Sequence, residues 1–246
     1  MGHSLGAAGA IEAAVTLLAL QHQFLPPNIN FRESDLSLNV VANEAREAQF
    51  DCAVSNSFGF RRNKRDDCFS KIRAMSLSVA GMSWVTPLGS DVDDVWQRLL
   101  AGETAPVEIL ENEQNGARYL VRRVPADTPF PSHPRLRRAS AISRFAAAAG
   151  LAALARVKPA PSLDRIALVF AVSNGGVIYT RRFYSEIVTS GAQAASPLLF
   201  PETVFNAPAS HLAAILGING ASYTVVGDGA VGILALKLAG RPARVR

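Results

Sequence analysis

Gly2-His3-Ser4-Leu5-Gly6 sets a serine inside G-x-S-x-G, the pattern of a nucleophile elbow, where a strained strand-to-helix turn exposes the hydroxyl. His3 beside it is a residue type suited to moving protons near neutral pH. An elbow needs a strand leading into it, yet Gly2 is the second residue. No H-G-G-G stretch and no acid-then-histidine order supplies the remaining parts. Ser4 is therefore not expected to be a nucleophile. The other nucleophile types are Cys52 and Cys68. With four histidines they form no metal-ligand spacing, so no metal and no cofactor is expected. Two cysteines also make no disulfide framework, which suits a reducing, cytoplasmic location.

The elements that must position these residues follow from pattern. AAGAIEAAVTLLALQH, residues 7–22, is rich in helix formers behind a glycine-rich lead-in. Extended stretches are predicted at PPNINF, LNVVAN and CAVSNSFGF, broken by proline and asparagine. RRNKRDDCFSKIRA is charged and lacks alternation, a poor strand. From Met75, SLSVAGMSWVTPLG reads as strand and turn, and DVDDVWQRLLAG as a helix with an acidic first turn. After a loop-rich stretch to Pro134, SAISRFAAAAGLAALARV predicts a helix and DRIALVFAVS a buried strand. VIYTRRFYSEIVTSG and TVFNAPASHLAAILG predict two more helices, ASYTVVG a strand, and AVGILALKLAG an apolar helix. Alternating strands and apolar helices mean a layered α/β architecture.

Composition agrees: of 246 residues 49% are hydrophobic and 18% charged, a globular balance. The apolar run AAVTLLAL is too short to span a bilayer and has no basic leader. Net charge is +5, and basic residues bunch at 61–65, 135–138 and 241–246. None is interleaved with aromatics in a nucleic-acid module, so neither nucleic acid nor membrane is an expected partner. A basic surface can still steer an acidic protein.

Four motifs occur in one order: GHSLGAAGAIEA, the PPNIN turn, NEAR and SNSFGF. Together they make residues 2–60 resemble the C-terminal end of an elongating beta-ketoacyl-acyl-carrier-protein synthase. Residues 76–240 resemble the N-terminal half of a second copy, through SVAGMSWVTPLG, VWQRLLAGE and SPLLFPETVFNAPASHLAAILGINGAS. The resemblance implies a thiolase-like layered α/β fold, incomplete, with a C-terminal fragment at 1–60, a junction at 61–74 and a truncated N-terminal domain at 75–246. The junction fits a slipped reading frame. Residues 61–67 can be written CGG CGG AAC AAA CGC GAC GAT, and the same bases, read one later and on into the next codon, give Gly-Gly-Thr-Asn-Ala-Thr-Ile, the family's continuation.

The family's reaction is decarboxylative condensation of acyl and malonyl thioesters, with a cysteine at a helix N-terminus as nucleophile, two histidines and an oxyanion hole. By resemblance, His3 falls on the second catalytic histidine and Phe60 on the residue that gates the acyl pocket and lends its amide. Aligning Gly220-Ala221-Ser222 puts the nucleophile position at Gly229, which has no side chain to acylate. No H-G-T loop occurs, and His22, His133 and His211 stand in other contexts. Cys52 is expected to be a small buried hydrophobe. Taken alone, GAAGA does no more than allow close helix packing.

The resemblance implies a protein of fatty-acid or polyketide synthesis whose own catalysis is lost. The alternatives are a chain-length-factor-like partner of an active ketosynthase, for which the missing cysteine is original, or a non-functional fusion of two gene fragments. Acyl carrier protein and a ketosynthase subunit or second copy are the implied partners. The last helix and the strand before it are expected to lack cover.

Overall fold

The computed structural model describes residues 7–34, 37–58, 64–70, 78–112 and 115–240. His3, Ser4 and Phe60 lie outside the described residues, as does 241–246. The chain opens with α1 (Ala8–His22) and short β1 (Phe24–Leu25) and β2 (Arg46–Glu47), then β3 (Cys52–Phe58) and β4 (Lys64–Ser70). Next come α2 (Val92–Leu100), a hairpin of β5 (Glu108–Glu111) and β6 (Arg118–Val121), and α3 (Ala141–Ala155). The last third alternates: β7 (Leu168–Val172), α4 (Val177–Ser190), α5 (Ala207–Leu216), β8 (Ser222–Val226) and α6 (Val231–Ala239).

Local chemistry explains the helix starts. Asp91 caps α2, its carboxylate accepting from the Asp93 and Asp94 amides, and the acidic first turn suits the positive end of the helix dipole. Ser140 caps α3 through the Ser143 amide. α2 turns Val92, Val95 and Trp96 inward and Asp93, Asp94 and Gln97 to solvent.

The main core joins distant parts of the chain. Trp84, Leu88, Val92, Val95, Trp96 and Ala105 pack with Leu18 and Ala19 of α1, and Phe24 and Phe50 close its flank. His22 stacks on Trp96 with ring centres 5.6 Å apart. A smaller cluster of Leu136, Ala139 and Ala147 sits under α5, with Ile215 against it. α3 and α5 approach closely there, since a Cβ on Gly150 would come within 2.8 Å of Leu212 Cδ1.

β7 and β8 run parallel, Leu168 opposite Ser222 and Val172 opposite Val226. α4, two short turns and α5 make the crossover between them. The Leu168 amide donates to Ala221 O, and Val172 O accepts from the Gly227 amide. Even-numbered residues of β7 therefore spend both backbone groups on β8.

Several expectations change. Residues 64–70, read as a poor strand, form β4 antiparallel to β3, with Val54 opposite Cys68. Cys52 is exposed, not buried. β3 turns Ala53 and Ser55 inward and leaves Cys52 and Val54 outside. LNVVAN makes no strand, only a bridge between Asn28 and Ala42. Residues 78–85 carry no ladder, although Thr86 and Gly89 do close the turn after them. The loop-rich stretch before Pro134 contains the β5–β6 hairpin. The first half of α6 is covered after all. Val231, Gly232, Ile233 and Ala235 are buried, and α1 is what lies against them: a Cβ on Gly232 would stand 2.7 Å from the Ala10 amide nitrogen. Leu236 and Leu238 stay exposed.

Candidate functional site

Parallel strands gather loops at their C-terminal ends, where α/β proteins place ligands. Two loops meet there. Gly227-Asp228-Gly229-Ala230 leads from β8 into α6, and Ser173-Asn174-Gly175-Gly176 leads from β7 into α4.

The first is a tight strand-to-helix turn. The Gly227 amide reaches back to Val172 O at 3.2 Å. Asp228 Oδ1 accepts the Ala230 amide at 3.2 Å, and Asp228 O accepts the Val231 amide at 3.0 Å. Gly229 is half-buried. Its carbonyl accepts the Gly9 amide from the first turn of α1, at 3.2 Å. The first turn of α1 is thus tied directly to the turn that leads from β8 into α6. A thiol at 229 would stand just before the N-terminus of α6, where the helix dipole favours a thiolate. Glycine offers nothing to acylate, and the Asp228 carboxylate is engaged in capping the turn.

The second loop is packed from behind. Gly176 has φ +68°, and a Cβ there would meet Glu202 O at 2.5 Å. Thr180 Oγ1 donates to Thr203 O at 3.1 Å. The 200–203 turn is in turn tied to α5 by a buried pair, His211 Nε2 to Glu202 Oε1 at 2.5 Å. Glu202 Oε2 and His211 Nδ1 are buried with no hydrogen-bond partner among the described residues. Sequence reasoning missed this pair. Nine residues and a helix start separate its members, and no spacing rule flags that.

Basic side chains converge nearby. Arg138, Tyr179, Arg182, Glu186, Ser196 and Leu198 line a cavity of about 420 Å³. Tyr179 donates to Arg138 O at 3.0 Å, and Arg182 pairs with Glu186 at 3.2 Å. A second cavity, about 740 Å³ and largely apolar, lies between α1, α3, residues 79–87 and β7. Among the described residues no three His, Cys, Asp or Glu side chains converge as a metal site. No helix there is long and apolar enough to cross a membrane.

The family model for the beta-ketoacyl synthase N-terminal domain matches residues 75–242, more than half of the chain. The chain belongs to the beta-ketoacyl synthase family. The model for the same family's C-terminal domain matches residues 1–32, so the C-terminal part precedes the N-terminal one. Curated relatives include 3-oxoacyl-acyl-carrier-protein synthase 2 of Coxiella burnetii, 49% identical over 61 residues, which are 24% of this chain and 15% of the relative. The corresponding synthase 2 of Mycobacterium leprae is 47% identical over 62 residues, again 24% of this chain and 15% of the relative. The matched stretch spans well under a fifth of these relatives' length. A crystal structure of a beta-ketoacyl synthase from Burkholderia phymatum aligns with TM-score 0.52 at 22% identity, over 65% of this chain and 41% of that one. It supports the thiolase-like α/β fold.

Proposed function

We propose that this beta-ketoacyl synthase family chain serves fatty-acid or polyketide condensation without itself forming the acyl-enzyme. One observation carries the reading: the strand-to-helix turn after β8 is hydrogen-bonded and seated on α1, and the residue that the resemblance aligns with the family's nucleophile is Gly229. Condensation begins when a thiolate attacks the acyl carrier thioester, forming the enzyme thioester and releasing the carrier thiol. With Gly229 no such bond can form. A carboxylate such as Asp228 would give a mixed anhydride, which lacks a thioester's stability. His3 as the relic of the second catalytic histidine, and Phe60 as acyl gate and oxyanion amide, belong to the same reading.

Acyl carrier protein is the proposed partner. Arg135, Arg137 and Arg138 in the turn before α3, with Arg182 across the smaller cavity, form a basic face that would steer an acidic carrier. The test is to incubate the full chain with acyl-carrier thioester and malonyl-carrier protein and weigh protein and products. No acyl adduct and no β-ketoacyl product are expected. A covalent acyl group on the chain, or condensation, overturns the reading.

A second reading is a non-catalytic subunit paired with an active ketosynthase, in which Gly229 is original. The outer edge of β8 favours it, with Tyr223 62% and Val226 50% exposed beside backbone that no other strand meets among the described residues. A mixed complex on co-expression with a ketosynthase supports it, and two separately eluting proteins count against it.

A further inference from the structure

Among the described α-helices, α4 alone has no buried residue. Its flanking residues are Gly176 and Gly191, and no side chain caps its first turn. It packs chiefly on the short turns at 192–194 and 200–203. Thr180 Oγ1 donates to Thr203 O, the Phe183 and Phe200 ring centres stand 5.7 Å apart, and Tyr179 donates to Arg138 O. Two of those three ties end on the 200–203 turn, so α4 sits only as firmly as that turn does.

The turn is itself lightly held. Its backbone bonds are local, from the Phe200 amide to Ser196 O and from the Glu202 amide to Leu199 O. Thr203 Oγ1 returns to Phe200 O. The hydrogen bond that leaves the turn for α5 is the buried one between His211 Nε2 and Glu202 Oε1. These side chains are 17% and 9% exposed, and the other polar atom of each has no partner among the described residues. Breaking the one contact strands two polar groups in the interior, a cost relieved only by letting water between the turn and α5.

What α4 carries gives that contact a consequence. Tyr179, Arg182 and Glu186 recur three and four residues apart along one side of the helix. With Ser196, Leu198 and Leu199 they make the whole lining of the smaller cavity apart from Arg138. The separation of Arg182 from Arg138 is thus set by where α4 rests.

We infer that Glu202 and His211 are positioning residues, whose buried contact seats α4 and holds Arg182 across the cavity from Arg138 as one basic face for an anionic protein. That this protein is acyl carrier protein rests on the reading above; the seating of α4 does not.

Amide hydrogen exchange and carrier binding, both on the full chain, test the two parts separately. Glu202→Met removes the acceptor and keeps the side-chain length, whereas Glu202→Gln keeps an acceptor for His211. In Glu202→Met the amides of 180–183 are expected to exchange at least about tenfold faster while those of 213–216 keep their rates. Affinity for fluorescently labelled acyl carrier protein is expected to fall about tenfold, as when the docking arrangement is populated a tenth of the time. Glu202→Gln is expected to stay close to the unmutated chain in both. Unchanged exchange at 180–183 in Glu202→Met overturns the inference, and so does a rise shared equally by 213–216, which is a general loss of stability. Glu202→Gln behaving like Glu202→Met overturns it too, as does carrier affinity that stays put while 180–183 loosen. If Glu202→Met does not fold, the unmutated chain decides. There the Glu202 amide and those of 180–183 are expected to exchange within about tenfold of one another, and a wider gap overturns the seating. An unmutated chain that binds no carrier ends the carrier reading, and the exchange comparison alone then decides whether the pair seats α4.

Discussion

The two cores of this molecule differ in kind. The larger brings α1 and Phe50 together with Trp84, Leu88 and Trp96, residues drawn from opposite sides of the 59–77 connection. The smaller, under α3 and α5, lies wholly within the later part of the chain and is built of Leu136, Ala139 and Ala147. Large aromatics sit where the parts on either side of that connection meet, and alanines where the later part packs on itself. Buried aromatic area dominates core energetics, so the seam between the pieces is the better-filled part. The two parts share one core.

Trp96→Ala breaks that comparison hardest. Trp96 is 2% exposed, and its removal is expected to cost about 4 kcal/mol by lost transfer and cavity terms. Urea melts followed by circular dichroism and by the remaining tryptophan, Trp84, should shift together; a helix signal that stays put while fluorescence moves would mean two independent units. Gly232→Val comes next at about 3 kcal/mol, because the new side chain collides with Ala10 backbone rather than with a flexible tip. Its thermal midpoint should drop further than that of Gly116→Val, where a Cβ meets nothing within 4 Å, though φ +66° strains that site too. Leu212→Ala, in the alanine-rich region, should cost about 2 kcal/mol. A loss equal to that of Trp96→Ala would erase the distinction between the cores. Asp91→Ala should cost about 1 kcal/mol, the worth of one helix cap, with Asp91→Asn close to neutral in the same chemical melt.

Much of this was legible beforehand, for identifiable reasons. The helices were, because caps such as Asp91 and Ser140 and runs of small apolar residues are local signals. The Gly229 turn was, because strand, glycines and helix follow one another directly. GAAGA promised a close helix approach, and Gly9 and Ala10 make one. What failed was non-local. Lys64–Ser70 lacks alternation, so nothing local marks it as a partner of β3. Cys52 looks like a core residue until β3 is seen to present Ala53 and Ser55 inward. Residues 78–84 have a strand's composition and no ladder, since a ladder belongs to a pair. Glu202 with His211, and Arg138 with Arg182, come together only through the crossover.

The contact of Gly232 with Ala10 also constrains descent. Two helices from opposite ends of the chain touch there without room for a methyl group. A volume change in α1 must be answered in α6, more than two hundred residues later in the chain. Related sequences carrying both pieces should therefore drift at these two positions in step, and those carrying one piece alone should drift freely.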